Sequence, residues 1–181
     1  YISLGRDFDR ALPEFEIAPR LLPNDAEPDG IIAFIRRRQG KWRETRTLLE
    51  GVTARDPRNL SYEEELFATA CLVRDWPSAA LHADRIVALV PNFSQVEVER
   101  AYLSIWRNGD LAPVRQVFAK YSSYGDPEGD TAWARWDAAM FDRDFPRAQA
   151  AIDGFPYETL PSVFSAPLPK SYLEGCIKLA Q

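Results

Sequence analysis

An all-α chain, a right-handed solenoid of antiparallel helix pairs forming an α-α superhelix, is what three features of the sequence predict. The sequence maps onto itself with a shift of 34 residues: Phe8 falls on Trp42 and Trp42 on Trp76, and after one extra residue Leu111 and then Phe145 continue the series. Each unit holds two stretches of helical apolar spacing around a short break, as in 62–73, Arg74-Asp75 and 76–89. Pro23, Pro57 and Pro91 punctuate the series at equal spacing. A period of this length made of two helices describes a unit that cannot bury its apolar face alone, so neighbouring units must stack.

The slots inside the period say which side chains interlock. A small slot reads Ala11, Thr45, Ala79, Val114, Ala148. The next apolar slots read Phe15, Leu49, Ala83, Phe118, Ile152 and Ala18, Val52, Ile86, Tyr121, Phe155. Helical spacing puts all three slots on one face of the second helix of each pair, where they face the core.

Taken in order, residues 1–5 read as the last turn of a helix stopped by Gly5, and the chain is expected to be cut from a longer array. Residues 8–22 are the second helix of that partial repeat, 1–25. Pro13 suits its first turn, whereas Pro19 lacks an N–H and predicts a kink or early end near 15–19. Complete repeats follow at 26–59, 60–93, 94–127 and 128–156. Pro28 sits in the first turn of a helix that stops at Gly40, and its partner begins near Trp42. Asp75 with Pro77, Asp110 with Pro113 and Asp144 with Pro146 repeat one device, a capping carboxylate followed by Pro in the first turn. Pro156, Pro161, Pro167 and Pro169 rule out a helix over 157–170, and the spacing predicts an ordered connection in which Tyr157, Leu160, Val163, Phe164 and Leu168 pack. Residues 171–181 are one more first helix without its partner.

Charge and composition exclude several roles. The net charge is -5, and it is uneven: residues 1–60 hold 11 basic and 10 acidic side chains, the remainder 11 and 17. A nucleic-acid binder displaces phosphate counterions with surplus positive charge, so no nucleic acid is expected as a partner. No apolar run approaches the ~18 residues of a membrane span, so no membrane contact is expected of this stretch. Cys71 and Cys176 lie in apolar helical patterns with no metal-ligand spacing and read as buried free thiols, which with the absence of an export signal suggests a cytoplasmic location.

Catalysis has little to work with. The one histidine, His82, is placed on the outward face of a second helix, in an exposed or half-buried position. Glu63-Glu64-Glu65 reads as an acidic first turn complementing the helix dipole, because consecutive helical residues point in three directions. No phosphate-cradling loop, zinc spacing or nucleophile elbow occurs. No enzyme activity, catalytic residue, cofactor or metal is expected.

With Leu66, Ala79, Ala83, Ile86 and Pro91 in one unit and Ile32, Ala33, Gly40, Trp42, Leu49 and Pro57 in the preceding one, the chain resembles the tetratricopeptide repeat family over almost its whole length. It departs from the family where a small residue is usual: after Ala33 that slot holds Phe67, Tyr102 and Trp136, and the facing slot exchanges large for small as Arg36, Ala70, Ile105 and Ala139. The resemblance implies a protein-interaction scaffold, of the kind attached to larger bacterial signalling or regulatory proteins, that takes a peptide or protein segment on the concave face lined by first helices. The exposed positions of that face become Phe34, Arg37 and Arg38; Glu64, Ala68, Cys71 and Leu72; Glu99, Leu103, Trp106 and Arg107; and Trp133, Asp137, Met140 and Phe141. Among these Arg37 and Arg38 are expected to meet an acidic segment, and Trp106 and Trp133 to take an apolar anchor. The family's Lys/Asn clamp for a C-terminal carboxylate is not expected, since its slots hold Gly30/Phe34 and Glu64/Ala68. Two other readings stand beside the scaffold: self-association through open array ends or the aromatic groove, and a helical-repeat RNA binder, which lacks base-reading residues at Phe34, Ala68, Leu103 and Asp137.

Overall fold

The computed structural model describes residues 8–21, 25–91, 94–121, 131–155, 157–160 and 168–181. The expectations for Gly5, Pro23, Val163, Phe164 and the segment around 122–130 lie outside the described residues. The described chain is all-α apart from one two-residue strand pair, and within each unit helices next to one another in sequence pack together. Two compact units divide it, Tyr1–Leu89 and Val90–Gln181. The extra residue in the 34-residue series falls between Ile86 and Tyr102, across that division.

The first unit holds α1 (Phe8–Leu21), α2 (Glu27–Arg38), α3 (Trp42–Arg55), α4 (Leu60–Leu72) and α5 (Trp76–Leu89). α1 continues to Leu21, so Pro19 does not end it early as the sequence suggests. The second unit holds α6 (Ser94–Asn108), α7 (Ala112–Lys120), α8 (Ala132–Phe141), α9 (Phe145–Asp153), strands β1 (Thr159–Leu160) and β2 (Leu168–Pro169), and α10 (Lys170–Ala180). Thr159 pairs with Pro169 and Leu160 with Leu168 in an antiparallel register. The strand pair was not anticipated. It lets the Pro-rich connection satisfy backbone groups while burying Leu160 with Phe155, Leu173 and Ile177. Tyr157, expected to pack, is exposed.

The second-helix slots are the core. Thr45, Ala79, Val114 and Ala148 are fully inaccessible, with Ala11 close behind, and Leu49, Val52, Ile86 and Ile152 are buried beside them. On the first helices Phe67, Ala70, Tyr102, Ile105 and Ala139 are buried, and Trp136 packs against the cluster that holds Ala139.

One turn recurs between first and second helices. Gly40, Arg74, Gly109 and Arg143 all take positive φ, at 74°, 60°, 75° and 55°. The residue after the turn bonds back across it: Lys41 N–H to Arg36 O, Asp75 to Ala70 and Asp144 to Ala139, each at 2.9 Å, with Asp110 reaching Ser104 at 3.3 Å. A left-handed residue that closes a helix end in this way satisfies carbonyls the helix itself leaves open. The predicted caps follow the turn. Asp75 accepts from Ser78 N–H at 3.2 Å and Asp144 from Arg147 N–H at 3.1 Å. Asp110 differs by one position: the residue flanking α7 is Leu111, and Asp110 accepts from Ala112 N–H at 2.9 Å.

Candidate functional site

Two surfaces of the first unit and one of the second carry the residues singled out by sequence. On the first-helix face of the first unit, Arg37 is already engaged. Its Nη1 lies 2.5 Å from Glu65 Oε2 and its Nη2 donates to Oε1 at 3.3 Å. This pair joins α2 to α4. Burial pushes the Glu65 carboxyl up, with Arg37 and then Arg38 pulling it back; Glu64 is also raised, by burial first and by Glu65 second. Arg38 is exposed and donates to the Phe34 carbonyl at 3.1 Å. Phe34 is half-buried against the α2–α3 core, Ala68 is buried, and Glu64 is exposed. The structure therefore leaves Arg38 presented to solvent and gives Arg37 an internal partner. Glu65 was missed as that partner because it was read only as part of an acidic turn.

In the second unit Tyr102 organises the first-helix residues. Its ring lies 4.7 Å from Trp133 and 5.7 Å from Trp106, and its hydroxyl donates to Asp137 Oδ2 at 3.0 Å and Ala134 O at 3.1 Å. Trp133 is 9% exposed, inside the core cluster of α6, α7 and α8. That corrects its assignment as an exposed groove position: the large Tyr102 occupies a slot that is small in Ala33, and Trp133 closes over it. Trp106 packs partly against the same cluster. Asp137 is half-buried; burial raises its carboxyl, and the Tyr102 hydrogen bond opposes that. Burial, then Asp137, push the Tyr102 phenol up. Leu103 and Glu99 are half-buried, with Gln95 donating to Glu99 at 3.0 Å, and Arg107 is exposed. Met140 packs on the α9–α10 core, whereas Phe141 is 57% exposed.

The third surface lies on the second helices of the first unit. A cleft of 690 Å³ is walled by α3 (Arg46, Glu50, Thr53, Ala54) and α5 (Leu81, His82, Arg85, Ala88, Leu89), with Pro57 at one end and Glu63 and Leu66 of α4 in its lining. His82 is 4% exposed and Glu63 3%, which corrects the outward placement of His82; Glu63 does lie in the first turn of α4, as expected, but buried rather than solvated. The physical reason is mutual. His82 Nδ1 lies 2.7 Å from Glu63 Oε2, so each supplies the hydrogen bond the other needs to be buried. Arg85 Nη1 stands 3.5 Å from Glu63 Oε1. At the other end Arg46 binds Glu50 and Asp75, each at 2.9 Å, and Ser78 at 3.1 Å, tying α3 to the cap of α5. Ser78 and then Arg46 hold the Asp75 carboxyl below its usual range. An Arg strut of the same kind recurs in the second unit, where Arg115 Nη2 grips both oxygens of Asp142 at 2.5 and 2.7 Å.

Among the described residues no cluster of three His, Cys, Asp or Glu side chains is poised to hold a metal ion, and no helix is long and apolar enough to cross a membrane. Cys71 and Cys176 form no disulfide and are partly rather than fully buried. No protein-family model matches the chain, and no curated protein matches it.

Proposed function

We propose that the chain is a non-catalytic protein–protein interaction scaffold of the tetratricopeptide kind, serving a larger regulatory protein and binding a peptide or protein segment on the face of its first helices. The observation that carries the reading is one recurring slot at the C-terminal end of each first helix. It reads Arg38, Leu72, Arg107, Phe141, and all four side chains are exposed, Leu72 at 58% and Phe141 at 57%. Each unit so presents one guanidinium and one large apolar side chain at matched positions of consecutive first helices. Single exposed apolar residues are ordinary; their recurrence at one slot beside an Arg suits a segment that alternates carboxylate and apolar side chains. Arg38 and Arg107 replace Arg37 as the charge contacts, because Glu65 holds Arg37. The engagement of His82 with Glu63 favours a structural over a catalytic use of the only histidine. Cytoplasmic residence accords with two cysteines that form no disulfide.

The test is selection of peptides from a random displayed library on the intact chain, followed by calorimetric titration of those recovered. Arg38→Glu with Arg107→Glu is expected to weaken acidic peptides at least tenfold, in line with loss of charge-assisted contacts. Unchanged binding removes this face from the reading. Self-association is a second reading, favoured by the outer side of α10, where Tyr172 and Leu179 are exposed opposite buried Leu173 and Ile177. Sedimentation that depends on concentration, abolished by Tyr172→Ser with Leu179→Ser, is what it requires.

A further inference from the structure

We propose that the α3/α5 cleft is a second binding site, independent of the first-helix face, which takes a basic side chain of a partner protein segment with its donor head on Glu63 and its aliphatic stem along the cleft wall. Several observations converge on it. The fold does not require a buried acid here: one repeat on, the slots of Glu63 and His82 hold Val98 and Val117, and one further on Ala132 and Ala151. Val98 is fully buried and Val117 packs on its cluster, so an apolar pair fills the same place in the second unit.

The Glu63 carboxylate is also under-satisfied. Oε2 has its short contact with His82, but Oε1 has only Arg85 at 3.5 Å, well beyond the ~2.7–2.9 Å of a charge-assisted hydrogen bond. Arg85 is half-exposed, so a closer donor has only this long contact to displace in reaching Oε1. Thr53 lines the same cleft, and its buried hydroxyl has no hydrogen-bond partner among the described residues. The lining also holds the Arg46–Glu50 ion pair, and the rest of it, Ala54, Pro57, Leu66, Leu81, Ala88 and Leu89, is apolar and suits the methylene stem that Lys and Arg lay along apolar surface. A cleft of this volume has the size and the mix of apolar wall and few polar groups typical of ligand sites.

The probe is the capped pentapeptide acetyl-Gly-Leu-Lys-Leu-Gly-amide, titrated into the intact chain and followed by amide chemical shifts, with counterparts in which norleucine or Glu replaces the Lys. The Lys peptide is expected to give saturable shifts confined to residues 46–57, 63–66 and 81–89, binding at least tenfold more tightly than either counterpart. Glu63→Val with His82→Val, which copies the second unit's own solution, is expected to stay folded and to abolish that preference. If this double variant unfolds, Glu63→Gln, which keeps shape and removes charge, provides the same comparison. Equal shifts from the Lys and norleucine peptides, shifts spread outside the cleft, or a preference that survives loss of Glu63 would each overturn the proposal.

Discussion

Arg74 and Arg143 occupy the left-handed turn position that glycine fills at 40 and 109. For a residue with Cβ that conformation costs about 1–2 kcal/mol, and glycine returns about 0.4–1 kcal/mol of it through its freer unfolded chain. Arg74→Gly is therefore expected to stabilise the first unit by about 0.5–1 kcal/mol, seen as a higher urea midpoint. Arg143→Gly gains less, because Arg143 Nη2 donates to Ala180 O at 3.3 Å and lies over the Phe145 ring. At Asp137 the sign of a pH effect is fixed by burial. Its folded carboxyl is raised, so its contribution to stability is full below the unfolded value near ~4 and is lost as pH rises through the folded one. Asp137→Asn still offers Tyr102 an acceptor, and it is expected to flatten the decline in second-unit stability above about pH 4, as measured by denaturant titrations across pH. Asp75 runs the other way: its depressed carboxyl stabilises above the unfolded value and loses that effect as pH falls through the folded one.

Helices and their joints were the most readable level of the chain. The small slot that recurs as Ala11, Thr45, Ala79, Val114 and Ala148 is buried in every repeat, since a side chain locked between two hairpins cannot change size freely; Ala79→Leu, at a fully inaccessible position, is expected to cost about 1–3 kcal/mol by overpacking. What periodicity could not show was polar burial. Glu63 and His82 are 19 residues apart and both polar, so a pattern built from apolar spacing assigns each to the surface. The one available signal was their alignment with Val98 and Val117, and it needs the repeat register rather than the residues themselves. His82→Ala is expected to cost about 3–5 kcal/mol by stranding a buried carboxylate, more than the double replacement of Glu63 and His82 by Val; thermal unfolding of the two variants separates them. Trp133 was misplaced for a related reason. A slot count gives the face on which a side chain starts, and Tyr102, large where the pattern usually has a small residue, drew that indole into the core.

For the whole molecule, the informative quantities are charge and the division into Tyr1–Leu89 and Val90–Gln181. An acidic chain gains little from releasing phosphate counterions, so single-stranded RNA is expected to produce no salt-dependent change in tryptophan fluorescence; a steep fall in affinity with added salt would restore the RNA reading. The architecture was legible because each stacked pair repeats the same local problem, whereas a partner's identity depends on side chains that the stacking leaves unconstrained. The recurring corner at 40 and 109 has one more consequence. No atom lies within 4 Å of where a methyl would project from either glycine, and their backbone angles are those natural to building blocks of opposite chirality. Semisynthesis that sets D-alanine at both corners should stiffen the joints, giving a protein hardened by mirror-image residues where the backbone suits them better than it suits the L-arginines of the two sister corners.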